Sequence, residues 1–306
     1  MREETADDRS VLLHALKALG GVASRATLIR STSRRHVDRG RREGWIRQLA
    51  RGVYGLPDVD DALSVAASAR GVLSLTSAAL WHGWAVKAVP ELPHVTLARG
   101  RQVAPDLVGR AQWHRCDLHP SEIEAGIVTS KEVTLMQCLR TLPPDEALAI
   151  ADSAARAGEW SLLRRVAASA RGPGSRQLRE VVSAASDQAA NPFESVLRHI
   201  CSTVPGLGMV PQVWIESHEG PVRPDLVDRD NRIIAEADSF EWHGGRAALR
   251  RDARRYNLLV IDGWWVLRFA WEDVMFDPDY VRLVLTQTVL LAQRSTELPC
   301  RRCDAA

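Results

Sequence analysis

The 306-residue sequence lacks any apolar run of about 18 residues, which excludes a transmembrane helix and argues against a membrane partner. Its N-terminus, MREETADDRS, is charged where a signal peptide needs an apolar stretch. The five cysteines are scattered along the chain and odd in number, so no disulfide framework is expected. We therefore expect a cytoplasmic protein.

Several catalytic motifs are also missing. The sequence has no Gly-x-Ser-x-Gly elbow, no P-loop and no Gly-x-Gly-x-x-Gly after a strand, which gives little support to the enzyme classes that use them. Only three of its 40 basic residues are lysine. The composition, 45% hydrophobic and 25% charged, is typical of a globular protein, and the length predicts two or three domains.

A winged helix-turn-helix domain is predicted over residues 1–58, in which three helices precede a hairpin. Ser31-Thr32-Ser33 supplies an N-cap for the third helix, and Gly44 ends it. The residues of the hairpin alternate in the manner of two short strands. In chain order, the predicted helices and strands cover residues 11–19, 25–30, 34–43, 45–49 and 52–56.

Positive charge is concentrated in this domain. Between residues 25 and 51, nine arginines face two acids, a balance of +7. A cationic helix beside a cationic hairpin can neutralise phosphates on both sides of a groove, so we expect DNA binding. The alternative is the basic face of a protein-interaction domain. The candidate DNA-binding residues are Arg34, Arg35, Arg39 and Arg42 on the third helix, and Arg47 and Arg51 on the hairpin.

The segments GGVASRATL and ARGVYGLP give residues 10–58 a resemblance to the winged-helix domain of the AbiEi-like antitoxins of type IV toxin–antitoxin systems. This resemblance implies a domain that reads DNA, often a promoter, with a cognate toxin or a second copy of the chain as further partners. Residues 59–185 resemble the segment that follows the winged helix in such proteins. Their pattern predicts a mixed α/β module and then helices.

Residues 186–293 are predicted to form a further mixed α/β domain, and residues 294–306 a polar tail. The pattern indicates a helix, three strands, a basic helix, a strand and closing helices. In chain order, these elements cover residues 192–203, 212–215, 222–227, 233–238, 246–260, 264–269 and 271–291. The whole chain is therefore expected to have a multi-domain α/β (α+β) fold.

The hairpin formed by the second and third of these strands can be aligned from its turn. Asp230-Asn231 favours a two-residue loop, because both residues tolerate positive φ. The numbers of paired residues then sum to 461, which places Asp225 directly opposite Glu236. Asp238, two residues further along, lies on the same face.

These three carboxylates have apolar neighbours on both faces of the strands, which indicates interior strands. Acids crowded there repel one another and lose hydration. A divalent cation with oxygen ligands, Mg²⁺ or Mn²⁺, would resolve the conflict, so Asp225, Glu236 and Asp238 are candidate metal ligands. The alternatives are that the acids lie at a solvated sheet edge or pair with arginines.

Asp225 followed by Glu236-Ala237-Asp238 resembles the core of the PD-(D/E)xK nucleases. The segments RPDLVD, RIIAEADSFEWH and RRDARRYNLLVIDGWWVLRF make residues 190–293 similar to very-short-patch-repair-endonuclease-like domains. The resemblance implies a restriction-endonuclease-like fold, metal-dependent hydrolysis of a DNA phosphodiester, and Asp225 and Glu236 as metal ligands.

Three further positions follow from this resemblance. Asp238 stands where the general motif has lysine, and its opposite charge cannot stabilise a developing anion. His243 is then the candidate general base or acid, since its pKa lies near working pH and Trp242-His243 matches a Trp-His pair of the repair-endonuclease relatives. A loop histidine that caps the next helix is the alternative. Glu194 either completes the site or caps its helix, in which Asn191 is the N-cap.

The basic helix would border this site. Its like charges at i, i+4 spacing favour an anionic partner, and Arg250 and Arg254 are the candidate DNA contacts, with a solvated helix face as the alternative. We therefore expect a DNA-binding, divalent-metal-dependent endonuclease. The first alternative is a non-enzymatic AbiEi-like antitoxin or transcriptional regulator with a degenerate nuclease fold. A protein-interaction module is the second.

Overall fold

The structure, a computed structural model, describes residues 2–19, 21–57, 61–238 and 246–297. The chain has a mixed α/β fold and divides into two units, as the sequence predicts for a multi-domain protein. Unit 1 comprises Met1–Trp84 and Ala88–Thr141, and unit 2 comprises Ala85–Lys87 and Leu142–Ala306. None of the helices in these described ranges is both long and apolar enough to cross a bilayer.

Unit 1 begins with the predicted winged helix-turn-helix. Its elements are α1 (Arg2–Ala18), β1 (Val22–Ser24), α2 (Arg25–Ser31), α3 (Arg34–Arg42), β2 (Arg47–Ala50) and β3 (Val53–Gly55). The strands form an antiparallel sheet in the order β1-β3-β2. The Ser33 side chain accepts a hydrogen bond from the His36 N–H and so caps α3. Gly44, with φ of +70°, follows the end of that helix, as predicted.

Helices α1 and α3 of this domain approach each other closely. A Cβ atom added at Gly40 would lie 2.2 Å from the Leu12 side chain, so no larger residue fits there without a shift. Leu12, Leu16, Leu28 and Val37 are buried in the shared core. The apolar spacing that predicts these helices therefore also sets their packing.

The remainder of unit 1 contains a five-stranded mixed sheet in the order β6-β5-β4-β8-β7. Val95, Leu97 and Val128 lie at its buried centre. Its elements are α4 (Asp61–Ser68), β4 (Val72–Leu73), α5 (Leu75–Trp81), β5 (His94–Leu97), β6 (Gln112–Arg115), β7 (Ile123–Glu124), β8 (Val128–Thr129) and α6 (Lys131–Thr141), with 3₁₀ turns at Pro105–Arg110 and Pro120–Glu122.

The elements of unit 2 are α7 (Pro144–Arg156), α8 (Trp160–Ser169), α9 (Ser175–Ala184), α10 (Pro192–Ser202), β9 (Val210–Pro211), β10 (Ile215–Ser217), β11 (Gly220–Val222), β12 (Leu226–Asp228), β13 (Ile233–Asp238), α11 (Arg246–Ile261), β14 (Trp265–Ala270), α12 (Trp271–Phe276) and α13 (Pro278–Glu297). A four-stranded sheet in the order β14-β13-β12-β9 lies between helices. Residues Leu226, Ile233 and Ala235 pack against α10, α12 and α13, whereas Val227 and Ile234 face α11.

A buried ion pair joins the first helices of unit 2 to the helix that leads into its sheet. Asp152 on α7 is fully buried and contacts Arg198 on α10 through both carboxylate oxygens, at 2.8 and 2.7 Å. The Ser186 N–H donates to the same carboxylate at 2.8 Å. The helices predicted for the end of the middle region, residues 59–185, thus pack within unit 2. The structure divides the chain into two units, whereas the sequence analysis divides it into four segments.

The β12–β13 hairpin has the predicted register but a different turn. Leu226 pairs with Ala235 and Asp228 with Ile233, so paired numbers sum to 461 as expected. The loop contains four residues, 229–232, and its positive φ falls at Arg232 (+53°), so the predicted two-residue turn is wrong. The register is the same because the predicted two-residue loop and the observed four-residue loop are both centred between residues 230 and 231.

The side chain of Asp228 explains the longer turn. It is buried and accepts hydrogen bonds from the N–H groups of Asp230 and Asn231 (3.0 Å each), from the Asn231 amide and from the Gly208 N–H (2.8 Å each). Burial alone would raise the pKa of Asp228, but the donors from Asn231, Gly208 and Asp230 outweigh it, and the pKa lies below its usual value of 3.8. The carboxylate therefore organises the loop.

Asp228→Asn is expected to lower the free energy of unfolding by about 2 kcal/mol at pH 6, since it weakens hydrogen bonds to a charged acceptor. A depressed folded-state pKa gives stability that is fully present above the unfolded value of 3.8 and is lost as pH falls through the folded value. The difference between wild type and variant should therefore shrink towards pH 3 in urea denaturation. A difference independent of pH, matching that of the exposed Asp230→Asn, would contradict this role.

Candidate functional site

The end of the β12–β13 hairpin brings two predicted site residues together. Asp225 directly precedes β12, and the observed register places it opposite Glu236. One Asp225 carboxylate oxygen accepts a hydrogen bond from the Ala237 N–H at 3.0 Å, and the other accepts one from the Gln212 amide at 3.2 Å. Both oxygens are thus held against the neighbouring strands.

Glu236 lies in the sheet face that packs against α11. It is only 8% exposed, and Arg255 on α11 donates to it at 3.1 Å. Burial raises the pKa of Glu236, the charge of Arg255 opposes that rise, and the charge of Asp225 adds to it. The ionised form of Glu236 is therefore incompletely stabilised by its surroundings.

Asp238 pairs with an arginine on the adjacent strand. Arg268 on β14 donates to it at 2.6 Å, and both side chains are half-exposed. Two of the three predicted metal ligands, Glu236 and Asp238, therefore contact guanidinium groups, which is one of the alternatives that the sequence leaves open. Among the described residues, no group of three or more histidine, cysteine or acidic side chains is arranged to hold a metal ion.

The donor chemistry of the hairpin end nevertheless suits a hard divalent cation. Carboxylate oxygens of Asp225 and Glu236 come from opposed positions of one antiparallel pair. Burial is the main cause of the raised pKa of Glu236, and the charge of Asp225 adds a smaller rise. The predicted general base, His243, lies outside the described residues.

Glu194 has the capping role, one of the two considered for it. Its N–H donates to the Asn191 side chain at 3.0 Å, and its own carboxylate accepts from the Ala190 N–H at 2.8 Å, so it stabilises the start of α10. Burial raises the pKa of Glu194, and among the smaller contributions the charge of Asp225 raises it further. The helix cap therefore lies within electrostatic range of the hairpin acids.

Arginines on α11 divide into two groups. Arg255 turns towards Glu236 and the sheet, whereas Arg250, Arg251 and Arg254 are exposed. The predicted contacts Arg250 and Arg254 thus lie on a solvent-facing, positively charged surface of the helix that borders the site.

The winged-helix arginines also divide by exposure. Arg34, Arg35 and Arg42 on α3 are exposed, as is Arg51 in the hairpin. Arg39, in contrast, is only 20% exposed. Arg47 is exposed but donates to the Ser64 hydroxyl at 2.7 Å.

Arg39 is held inside the winged-helix domain. It pairs with Asp8 on α1 at 2.7 Å, and its guanidinium lies 5.5 Å from the centre of the Trp45 ring. Its surroundings indicate a structural contact, so Arg39 is less available to DNA than its neighbours on α3.

Sequence reasoning missed Arg268 and Tyr256. Both guanidinium groups near the hairpin acids lie over the Tyr256 ring, Arg255 at 4.6 Å and Arg268 at 4.3 Å from its centre. The available signal was an arginine within the otherwise apolar segment WWVLRFA.

Comparisons with known proteins find relatives of this chain whose activity is not described. No family model matches it. Uncharacterized protein Rv2248 and Uncharacterized protein MT2308, from two strains of Mycobacterium tuberculosis, are each 28% identical to it over 259 residues, which cover 80% of this chain and 93% of theirs. An alignment of that length includes parts of both units.

Among solved structures, the RV2827C protein from Mycobacterium tuberculosis aligns at 13% identity over 63% of this chain and 75% of that one. The TM-score is 0.26, so this likeness carries no argument about fold or activity. The chain is thus similar over most of its length to the two uncharacterized mycobacterial proteins, and its function has to be argued from its own residues.

Proposed function

We propose that this protein binds DNA through its winged helix and hydrolyses a DNA phosphodiester, with Mg²⁺ or Mn²⁺, at the end of the β12–β13 hairpin. One observation carries the proposal: the hairpin register sets the Asp225 carboxylate opposite the buried Glu236, so two carboxylates that repel each other share one end of the hairpin. A divalent cation between the two acids would offset that repulsion. The protein would act in the cytoplasm, where its DNA substrate is found.

Each acid has a defined part in this reaction. A cation held by Asp225 and Glu236 would polarise the phosphate and lower the pKa of the attacking water. Asp225 is already oriented by the Ala237 N–H and the Gln212 amide. Glu236 has to exchange its contact with Arg255 for the cation, so the ion pair holds the carboxylate in place until then.

Two further residues take part in the proposed hydrolysis. His243 is the proposed general base or acid, because an imidazole with a pKa near working pH can accept a proton from water or give one to the leaving group. The charge of Asp225 makes a small contribution to the raised pKa of Glu194, and Glu194 would add negative charge beside the cation.

The winged helix supplies the DNA contact in this proposal. Exposed Arg34, Arg35 and Arg42 on α3 can reach phosphates beside a groove, and Arg51 extends the positive surface onto the hairpin. The resemblance to AbiEi-like antitoxins adds the proposal that the bound DNA includes a promoter and that a toxin is a partner.

Arg35→Ala is expected to weaken binding to duplex DNA and to reduce the slope of log K against log salt concentration by about 0.9, the value for one lost phosphate contact. Arg39→Ala should instead lower thermal stability, because it leaves Asp8 without the 2.7 Å contact. Fluorescence anisotropy of a labelled duplex between about 50 and 200 mM salt measures the slope. An unchanged slope for Arg35→Ala would remove α3 from the proposed interface.

A non-enzymatic DNA-binding regulator is the second candidate function. The observation that favours it is the pairing of Glu236 with Arg255 and of Asp238 with Arg268, since these contacts partly neutralise the acids without a cation. In that case the winged helix would act alone and the nuclease-like fold would be inactive.

Plasmid nicking by the purified full chain separates the two candidates. We expect supercoiled DNA to become nicked or linear in Mg²⁺ or Mn²⁺ and to remain intact in EDTA. Salt-dependent binding without cleavage of supercoiled, mismatched or single-stranded DNA would favour the regulator.

A further inference from the structure

We propose that Arg268 is the group that binds and stabilises the reacting phosphate at this site, with Tyr256 and Asp238 as the residues that position it. The inference rests on the proposed nuclease function and names the cationic residue that the site uses. It also gives Asp238 a positioning role in place of the predicted role as a metal ligand.

The strand register brings Arg268 to the acids. Strands β13 and β14 are parallel, and Glu236 pairs with Arg268 and Asp238 with Ala270. Paired residues of a parallel ladder extend from the same face, so the Arg268 side chain leaves the sheet beside Glu236, on the side that carries α11. From there its guanidinium reaches Asp238 at 2.6 Å.

The guanidinium is held in a defined orientation. Its carbon lies 4.3 Å from the centre of the Tyr256 ring, a cation–π contact, and Asp238 accepts one of its hydrogen bonds. Arg255 contacts the same ring at 4.6 Å and donates to the Tyr256 hydroxyl at 2.7 Å. The ring therefore holds both guanidinium groups in place, each beside a carboxylate.

Arg268 is better suited to bind the reacting phosphate than Arg255. The Arg268–Asp238 pair is half-exposed, whereas the Glu236 side chain that Arg255 contacts is only 10% exposed. A guanidinium carries five N–H donors, and among the described residues Asp238 accepts from one of those on Arg268. Its other N–H groups can therefore donate to two phosphate oxygens in the bidentate geometry that arginine favours.

The chemistry of the step requires such a group. Attack of water on a phosphodiester places negative charge on the non-bridging oxygens, and a fixed cation stabilises that charge as the bond to the leaving oxygen breaks. Of the three lysines, Lys87 is the one in unit 2, and it pairs there with Asp145 at 2.6 Å. Arg268 and Arg255 are the cations that the described residues bring to the acids.

Rate constants for nicking at saturating DNA and Mg²⁺ test the inference. Arg268→Ala should lower the rate constant by about 100-fold or more, the effect of removing one preorganised donor, and Arg268→Lys should recover part of it by restoring the charge without the fork. Arg176→Ala, at an exposed arginine on α9 outside the site, is the matched control and should leave the rate constant unchanged. Arg268→Lys should keep the melting temperature and the Mn²⁺ affinity of the wild type. That result would show that the variant still folds and still binds the cation.

Chemical labelling of the wild-type chain provides a readout that needs neither activity nor a variant. A short duplex bound in Ca²⁺ should slow the reaction of Arg268 with phenylglyoxal, measured by mass spectrometry, relative to the exposed Arg176. Wild-type nicking with no effect of Arg268→Ala, or bound DNA that leaves Arg268 unprotected, would overturn the inference alone. If the wild-type chain does not nick DNA but bound DNA protects Arg268, the proposed nuclease function is contradicted, and Arg268 is a phosphate contact without a catalytic role.

Discussion

Asp152→Ala is expected to lower the free energy of unfolding by about 3–5 kcal/mol, one of the two largest effects that we predict for this chain. Asp152 is fully buried, and both its oxygens contact Arg198, which is itself only 12% exposed. Removal of the carboxylate leaves a buried guanidinium without its anion and the Ser186 N–H without its acceptor. The cost is thus the penalty of unpaired buried groups, which exceeds the net value of the ion pair itself.

Urea denaturation of the full chain measures this change. Glu180→Ala is the matched control, because its partner Arg176 lies one turn away on the same helix and both side chains are exposed, so no measurable change is expected. A double variant, Asp152→Ala with Arg198→Met, should recover stability by removing the second buried charge. Equal stabilities of Asp152→Ala and Glu180→Ala would contradict the role assigned to the α7–α10 ion pair.

Asp225→Asn is expected to lower the rate constant of plasmid nicking by about 1,000-fold or more, since loss of a metal ligand removes several kcal/mol of transition-state stabilisation. The fold should persist, because the amide oxygen can still accept the hydrogen bond from the Ala237 N–H that holds residue 225 beside β13. Charge and metal affinity change while shape does not. The variant therefore separates chemistry from structure.

Nicking assays in Mg²⁺ with wild type, Asp225→Asn and Glu216→Gln measure this effect. Glu216 is an exposed acid on β10 of the same unit, so its amide variant controls for the loss of one negative charge. Circular dichroism should give the same spectrum for all three proteins. Nicking by Asp225→Asn at the wild-type rate would exclude residue 225 from the catalytic machinery.

Local sequence patterns predicted most of the elements and the register of the critical hairpin. The strand 233–238 has the predicted bounds, and the pairing that sums to 461 followed from the position of the turn. The turn itself was predicted wrongly. The Asp228 carboxylate accepts hydrogen bonds from the N–H groups of Asp230 and Asn231, and the residue types at 230 and 231 do not reveal this contact. Register depends on where a loop is centred, and turn type on side-chain contacts.

The partners of the charged residues could not be predicted in the same way. Asp8 and Arg39 are 31 residues apart and meet when α1 packs on α3, and Glu236 and Arg255 are 19 apart and meet when α11 packs on the sheet. The sequence identified Asp225 and Glu236 through a hairpin, which is local. It gave Arg268 no role, because the contacts of Arg268 with Asp238 and Tyr256 require a parallel strand and the helix above it.

Mn²⁺ binding, followed by electron paramagnetic resonance of the free ion, tests most directly whether the hairpin acids hold a divalent cation. The wild-type chain is expected to remove Mn²⁺ from solution in a one-to-one ratio, and Asp225→Asn and Glu236→Gln are expected to lose that binding, whereas Glu216→Gln keeps it. Equal Mn²⁺ binding by wild type and by both site variants, or no binding by any of them, would contradict the assignment of Asp225 and Glu236 as metal ligands.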